Sequence, residues 1–321
     1  MYKKKSLKVL LICIALLLLL VVLYSGLRRW ESTAFLKPQE ETQQSKVVAY
    51  DGVKYFPRQD ITVLMFLGID HAGKVADYEA TYDYPAEMIA LLIFDEQKEK
   101  YDLLCLNKDT VVKGSVQDKA DEESNTQLAL SHTFGTGRED SCENTKKAVS
   151  DLLGGITIDH YLSVNMDAIG LLNEAVGGVT VNVTEDFSKA CPAVGMGEVT
   201  LNREQALAFI RSSEISDSQQ NTGLEQRQQV YLRGLIEALW SKVNHSGSDA
   251  LQIFRKVSDY MVTDCSFSVL NRLAEDYGDY KLDEVITLPG EGVSGQEHYE
   301  FYVDRDRMMP IVLDLFYSPL D

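Results

Sequence analysis

The stretch Ile61-Thr62-Val63-Leu64-Met65-Phe66-Leu67-Gly68-Ile69-Asp70 decides the fold class of this 321-residue chain. A short, nearly continuous apolar run closed by a glycine turn and a carboxylate reads as a buried strand. Two similar runs follow. Met88 to Phe94 breaks at Asp95-Glu96, and Tyr101 to Leu106 ends at Asn107-Lys108-Asp109-Thr110. Strands apolar on both faces belong in the interior of a covered sheet.

Outward from these strands the apolar period changes from that of a strand to that of a helix. Ser141 to Leu153 places Ala148, Leu152 and Leu153 on one side and stops at Gly154-Gly155, as a helix does. Asp159 to Val164 reads as a short strand, Met166 to Ala175 as a helix, and Val179 to Val183 as an alternating exposed strand. Asn202 supplies an N-cap for a helix through Ile210. Glu225 to Val243 carries Val230, Leu235, Leu239 and Val243 at helical spacing. Helices are expected at Ala250–Met261, Ser268–Tyr277 and Met309–Phe316, with a late strand at Val285–Leu288. Strands and helices interleave without a repeat, which predicts a single α/β domain.

The N-terminus fixes an expected compartment. Lys3, Lys4, Lys5 and Lys8 precede an apolar run that starts at Val9 and is followed by Arg28-Arg29. Its length suits a bilayer core, which takes roughly 17–25 residues of helix. The excess of basic residues before the run predicts a cytoplasmic N-terminus and an exported remainder. A cleaved leader is the alternative, but Tyr24-Ser25-Gly26-Leu27 is a poor match to a small-residue cleavage site. The expected organisation is a cytoplasmic N-terminus at 1–8, a transmembrane anchor at 9–27, a linker at 28–60 and an extracellular domain at 61–321.

Charge excludes one class of partner. The chain has a net charge of −18, and residues 1–29 hold six of its 31 basic residues and none of its 49 acidic ones. So acidic an exterior disfavours nucleic acid, which needs basic surface. Cys105, Cys142, Cys191 and Cys265 allow three disulfide pairings or none. No C-x-x-C supports zinc or thioredoxin-like chemistry, and the histidines His71, His132, His160, His245 and His298 have no metal-ligand spacing.

The candidates for chemistry are charges at strand ends. Asp70 follows the first strand, Glu87 precedes the second, and Lys108 and Asp109 follow the third. Arg211 follows a helix, and Arg227 and Gln228 open the next. Ligands of open α/β sheets usually lie at the carboxyl ends of strands. Acids there suit Mg²⁺ together with substrate phosphates, and arginine suits phosphate oxygens.

The segments Phe66-Leu67-Gly68-Ile69-Asp70, Asn107-Lys108-Asp109-Thr110, Leu152 to Tyr161, Asn165 to Ile169, Ala175 to Val179 and Leu201 to Leu207 share an order with a known family. Arg211-Ser212-Ser213, Glu225-Gln226-Arg227-Gln228-Gln229 and Thr287-Leu288-Pro289-Gly290 continue it. The chain thus resembles the LytR-CpsA-Psr family over nearly its whole length. The resemblance implies a three-layer α/β/α sandwich around a mixed central sheet. It also implies Mg²⁺-dependent transfer of a glycopolymer, such as teichoic acid or capsular polysaccharide, from a polyprenyl-pyrophosphate carrier to peptidoglycan. By position it implies metal binding by Asp70 and Glu87, a catalytic role for Asp109, Lys108 and Arg211, and pyrophosphate binding by Lys108, Arg211, Arg227 and Gln228. Glu87 stands where the family usually has an aspartate.

Four family arginines are replaced, by Pro85, Lys108, Ser213 and Leu224. Lysine keeps the charge without bidentate geometry. Three readings stay open: an active phosphotransferase, a weakened relative that binds polyprenyl-linked glycan or scaffolds wall assembly, and an anchored regulator. Arg138, Arg203 and Lys113 are candidate compensating cations. Both lipid-binding readings require an elongated apolar pocket between sheet and helices. Its expected walls are Val63–Leu67, Ile89–Phe94, Leu103–Leu106 and the helix at 225–243, and its mouth lies beside Asp70, Lys108, Arg211 and Gln228.

Overall fold

The structure, a computed structural model, describes residues 47–79, 83–113, 125–184, 186, 191–192, 194–211, 222–243, 246–294 and 299–320. The segments expected as cytoplasmic N-terminus and anchor lie outside the described residues. Among the described residues no helix is long and apolar enough to cross a membrane. The chain divides into Met1–Lys54 and Tyr55–Asp321. The described part of the first holds strand β1 (Val48–Tyr50) and the start of β2 (Val53–Pro57). The sequence reading starts the domain at 61. In the structure Tyr55, Phe56 and Pro57 pair with a C-terminal strand at Tyr317–Pro319, so the larger unit starts at Tyr55.

The larger unit is built on strands β3 (Ile61–Ile69), β4 (Ala86–Asp95) and β5 (Lys100–Leu106), which pair antiparallel in sequence. Short β6 (Val111–Lys113) and β7 (Asn125–Gln127) pair beside them. After helix α1 (Glu139–Leu152), strand β8 (His160–Asn165) joins β3 in parallel. Helix α2 (Met166–Val176) leads to the hairpin β9 (Val179–Val183) and β10 (Gly197–Leu201). Helices α3 (Arg203–Arg211), α4 (Thr222–Val243) and α5 (Gly247–Val257) follow. Strand β11 (Met261–Thr263), helix α6 (Phe267–Tyr277) and strand β12 (Lys281–Thr287) complete the six-stranded mixed sheet, ordered β11-β8-β3-β4-β5-β12. The chain closes with hairpin β13 (Gly290–Ser294) and β14 (Tyr299–Val303), helix α7 (Arg305–Phe316) and β15 (Tyr317–Pro319).

Both faces of the sheet are apolar and buried, as the strand patterns predict. Leu64, Phe66, Leu92, Phe94, Tyr101 and Leu103 pack with side chains of α2 to α6 in one core. The alternate residues Val63, Met65, Leu67, Leu91, Ile93 and Leu104 are equally buried and point to the other side, since side chains alternate along a strand. There a 3-10 helix at Leu128–Phe134 packs on β4, and α1 packs on that helix and on β8. A buried Leu or Ile contributes about 1.5–3 kcal/mol over an exposed one, so this doubled layer dominates the fold's stability.

Two expectations meet a different outcome, and the open question of the cysteines is answered. Val230 is exposed, because α4 turns that position away from the sheet. The helix expected through Met261 ends at Val257, and Met261–Thr263 pairs antiparallel with β8. All four described cysteines are free, and Cys105, Cys142 and Cys265 are buried.

Candidate functional site

Sheet register gathers the charged residues. Ile89 lies opposite Leu106, so the end of β5 and the start of β4 share one edge. Gly68 lies opposite Met88 and Ile69 opposite Ala86, which leaves Glu87 as an extra residue in β4. Such a bulge bends the strand and re-aims a side chain. Glu87 and Met88 consequently border the same two cavities on the helical face. The chain entering β4 is clamped. Tyr84 adopts φ 75°, its ring stacks on Tyr78 at 4.5 Å, and its carbonyl contacts the buried His132 ring at 2.6 Å.

Two cations hold three acids here. Arg211 Nη2 lies 2.9 Å from Asp70 Oδ1. Lys108 Nζ lies 2.9 Å from Asp109 Oδ1 and 3.5 Å from Glu87 Oε2. Burial works against the Lys108 charge, but Glu87 and Asp109 outweigh it and hold the ammonium above its ordinary value. The turn Asn107-Lys108-Asp109-Thr110 is fixed from inside. Asp109 donates its backbone N–H to Asn107 Oδ1 at 2.9 Å, and Thr110 Oγ1 donates to the Asn107 carbonyl at 2.6 Å. Gln127 Nε2 donates to Asp109 Oδ1 and to the Tyr299 carbonyl. Phe301 N donates to the Asp109 carbonyl at 2.9 Å, which ties the β13–β14 hairpin to this turn.

A cavity of about 650 Å³ opens between the turn, the start of α4 and the late hairpin. Glu87, Lys108, Glu225, Gln228, Gln229, Glu291 and Tyr299 are among its walls. From sequence alone Glu225 is a helix start. It lies one helical turn before Gln228, and that spacing is the signal that marks it. Burial, reinforced by the Asp109 charge and opposed by Lys108, draws its carboxyl up to about 7. Among the described residues, buried Glu225 Oε1 and Asp109 Oδ2 have no hydrogen-bond partner. A buried polar atom without a partner is rare and asks for an explanation.

Inward from this mouth lie two smaller cavities that share wall residues in turn, and neither Asp70 nor Arg211 borders any of the three. A narrow cleft of about 30 Å³ is bordered by Glu87, Met88, Ile210 and Gln228 at one end and by Leu232 and Leu235 at the other. Leu232 and Leu235 also line a cavity of about 200 Å³ between the sheet and α4, α5 and α6. Its wall contains Leu64, Phe66, Leu92 and Phe94 from the sheet and Leu239 and Trp240 from α4, and Asn271 is its one polar residue. Gln228 Nε2 donates to the Ile210 carbonyl at 3.2 Å, joining the end of α3, where Arg211 stands, to the mouth.

Other residues named from sequence stand elsewhere. Arg227 is buried, donates Nε to the Phe209 carbonyl at 3.0 Å, and borders a separate cavity beside β9. Arg138 is committed to the carbonyls of Val75, Ala76 and Tyr78. Arg203 is committed to Asp167 and Glu174. Lys113 ends β6 on the surface. None of these three joins the mouth as a compensating cation.

Asp70 and Glu87 are partly exposed, and one oxygen of each faces a cation. Asp70, Glu87 and Asp109 do not converge as a cage. Among the described residues, only His160, Asp264 and Cys265 bring three such ligand atoms within 4.8 Å of one another. Carboxylate oxygens are hard donors of the type that Mg²⁺ takes together with water and phosphate oxygens.

Comparison with known proteins adds three findings. The sequence model of the LytR_cpsA_psr family matches residues 26–312. The polyisoprenyl-teichoic acid–peptidoglycan teichoic acid transferase TagU of Enterococcus faecalis is 28% identical over 291 residues, covering 89% of each chain. Two solved structures share the fold. TagV of Bacillus subtilis has a TM-score of 0.62 at 22% identity, covering 80% of this chain and 96% of that one. TagT bound to LI-WTA has a TM-score of 0.62 at 20% identity, covering 80% and 90%.

Proposed function

Because the chain belongs to the LytR-CpsA-Psr family, we propose that it transfers a glycopolymer from a polyprenyl-pyrophosphate carrier to peptidoglycan, forming a phosphodiester. The observation that carries this reading is the order of the cavities: a charged mouth, then a narrow cleft and an apolar-walled cavity that share wall residues. A ligand with one anionic head and one long apolar tail matches that order of surfaces. The name of the Enterococcus faecalis relative, a teichoic acid transferase acting on peptidoglycan, supports the class of cargo and acceptor.

In this reading Lys108 and Arg211 draw the pyrophosphate to the sheet end and offset charge on the departing polyprenyl phosphate. Gln228 positions the head beside them, and Arg227 braces α3 from below through the Phe209 carbonyl. Asp109 orients Lys108. Asp70 and Glu87 would hold Mg²⁺, which neutralises phosphate charge when bound. The domain is proposed to lie outside the cytoplasm on a single-pass anchor at 9–27, which keeps it beside a lipid-borne substrate.

A second reading, a weakened relative that binds the lipid-linked glycan without rapid turnover, is favoured by Pro85, Ser213 and Leu224 at family arginine positions. One assay separates the two. The purified protein is incubated with a polyprenyl-pyrophosphate oligosaccharide, peptidoglycan fragments and Mg²⁺. Release of polyprenyl phosphate supports transfer, binding without release supports the second reading, and neither result rejects both.

A further inference from the structure

Within the proposed transfer reaction, on which this inference rests, we propose that Glu225 is the base that takes the proton of the acceptor hydroxyl. Beside the mouth cavity two buried carboxylate oxygens have no hydrogen-bond partner among the described residues, Glu225 Oε1 and Asp109 Oδ2, and of the two residues only Glu225 borders the cavity. Asp109 is already committed, since its Oδ1 receives Lys108 at 2.9 Å and Gln127 at 3.2 Å. Glu225 stands on the first turns of α4 and borders the cavity together with Gln229 and Tyr299. A carboxylate and an amide beside an aromatic ring suit a hydroxyl-rich sugar, whereas the apolar cavity beyond Leu232 and Leu235 suits the tail.

The groups facing Glu225 explain its readiness. Cys105 lies on β5, Lys108 and Asp109 follow it, Glu87 lies on β4, Glu291 on β13 and Tyr299 on β14. Only Lys108 among them is cationic, and it is held by Glu87 and Asp109. A base works best when its ionisation lies near the working pH, which is where burial brings this carboxyl.

The step balances. The acceptor oxygen bonds to the glycan-bearing phosphorus as its proton passes to the Glu225 carboxylate. The bond from that phosphorus to the carrier's bridging oxygen breaks, and its electron pair leaves with polyprenyl phosphate. Glu225 then returns the proton to solvent.

The test follows release of polyprenyl phosphate by the full chain in detergent across the neutral range, together with donor binding. The wild type is expected to speed up as pH rises through about 7 and then level off. Glu225→Gln is expected to bind donor normally, lose about 10²–10⁴-fold in rate and show no rising limb, and Glu225→Asp is expected to keep one. A carboxyl ¹³C signal that titrates near neutrality and vanishes in Glu225→Gln is expected in the free protein. Wild-type turnover with an unchanged Glu225→Gln profile, or no such signal, overturns the role of Glu225 alone. A wild type that neither binds nor cleaves the donor overturns the transfer reading, and the role of Glu225 with it.

Discussion

The two ends of the central sheet carry the same kinds of residue and use them differently. At the end where β3 and β8 begin, carboxylates serve the backbone. Asp159 accepts the Val63 N–H at 2.8 Å, and Asp264 accepts the Tyr161 N–H at 3.0 Å with His160 Nδ1 at 3.6 Å. Arg58 grips Asp60 and Asp95, each at 2.8 Å. At the opposite end Glu87, Glu225 and Glu291 border a cavity. Buried oxygens of Glu225 and Asp109 lack hydrogen-bond partners there among the described residues, whereas the corresponding oxygen at the first end, Asp95 Oδ2, is held by Arg58. Charge that caps a backbone N–H is structural, and charge left facing space is available to a ligand.

If that contrast is right, removing charge at the cavity end harms turnover and spares the fold. Arg211→Ala should reduce polyprenyl phosphate release by about 10²–10³-fold with little change in melting temperature, since its pair with Asp70 is exposed. A large loss of stability without a specific loss of turnover would erase the distinction between the ends.

The next effect concerns the tail. Shortening a polyprenyl phosphate by one isoprene unit that still reaches the apolar cavity should weaken binding at least about tenfold, since each buried methylene contributes about 0.8 kcal/mol. Calorimetry on a chain-length series reads this directly, and affinity independent of length would mean that the tail lies elsewhere.

A smaller effect belongs to the structural end. Asp264 holds the His160 imidazole protonated up to about 10, against an ordinary value of 6.5. A histidine raised on folding adds stability that is complete below its unfolded value and is lost as pH climbs through the folded one. Asp264→Asn should therefore destabilise the protein by about 1 kcal/mol near neutrality, the scale of a partly screened pair. The gap should close above about pH 10, and activity per folded molecule should not change. Melting curves against pH test this.

The smallest effect is expected at Val230, which is exposed on α4. Val230→Glu should shift stability by no more than about 0.5 kcal/mol in chemical denaturation. A larger cost would mean that the solvent-facing side of α4 is covered.

What the sequence made legible follows from what is local. The strands at Ile61, Met88 and Tyr101 announce themselves by nearly continuous apolar runs, and the glycines at 154–155 and 177–178 mark helix ends. The β13–β14 hairpin escaped notice because Gly290, Glu291 and Gly292 carry no alternation, although their edge pairing is regular. The site was legible as residue types at strand ends. Its pairings were not, since Arg211 meets Asp70 only after the chain has crossed the sheet. Arg227 and Gln228 are neighbours in sequence but point to different cavities, because successive helical residues diverge by about 100°. Glu225 looked like a helix-start acid until its burial beside Asp109 was visible.

The extra residue at Glu87 separates two things that usually change together. Beyond it, from Ile89 onward, β4 keeps its partners on both sides. Losing one residue ahead of Met88 would restore plain alternation and swing the preceding side chain to the far side, with the core rows undisturbed. That far side is where Ala86 is fully buried, so the same one-codon deletion would also bury a carboxylate, a cost to the fold that keeps the extra residue in place.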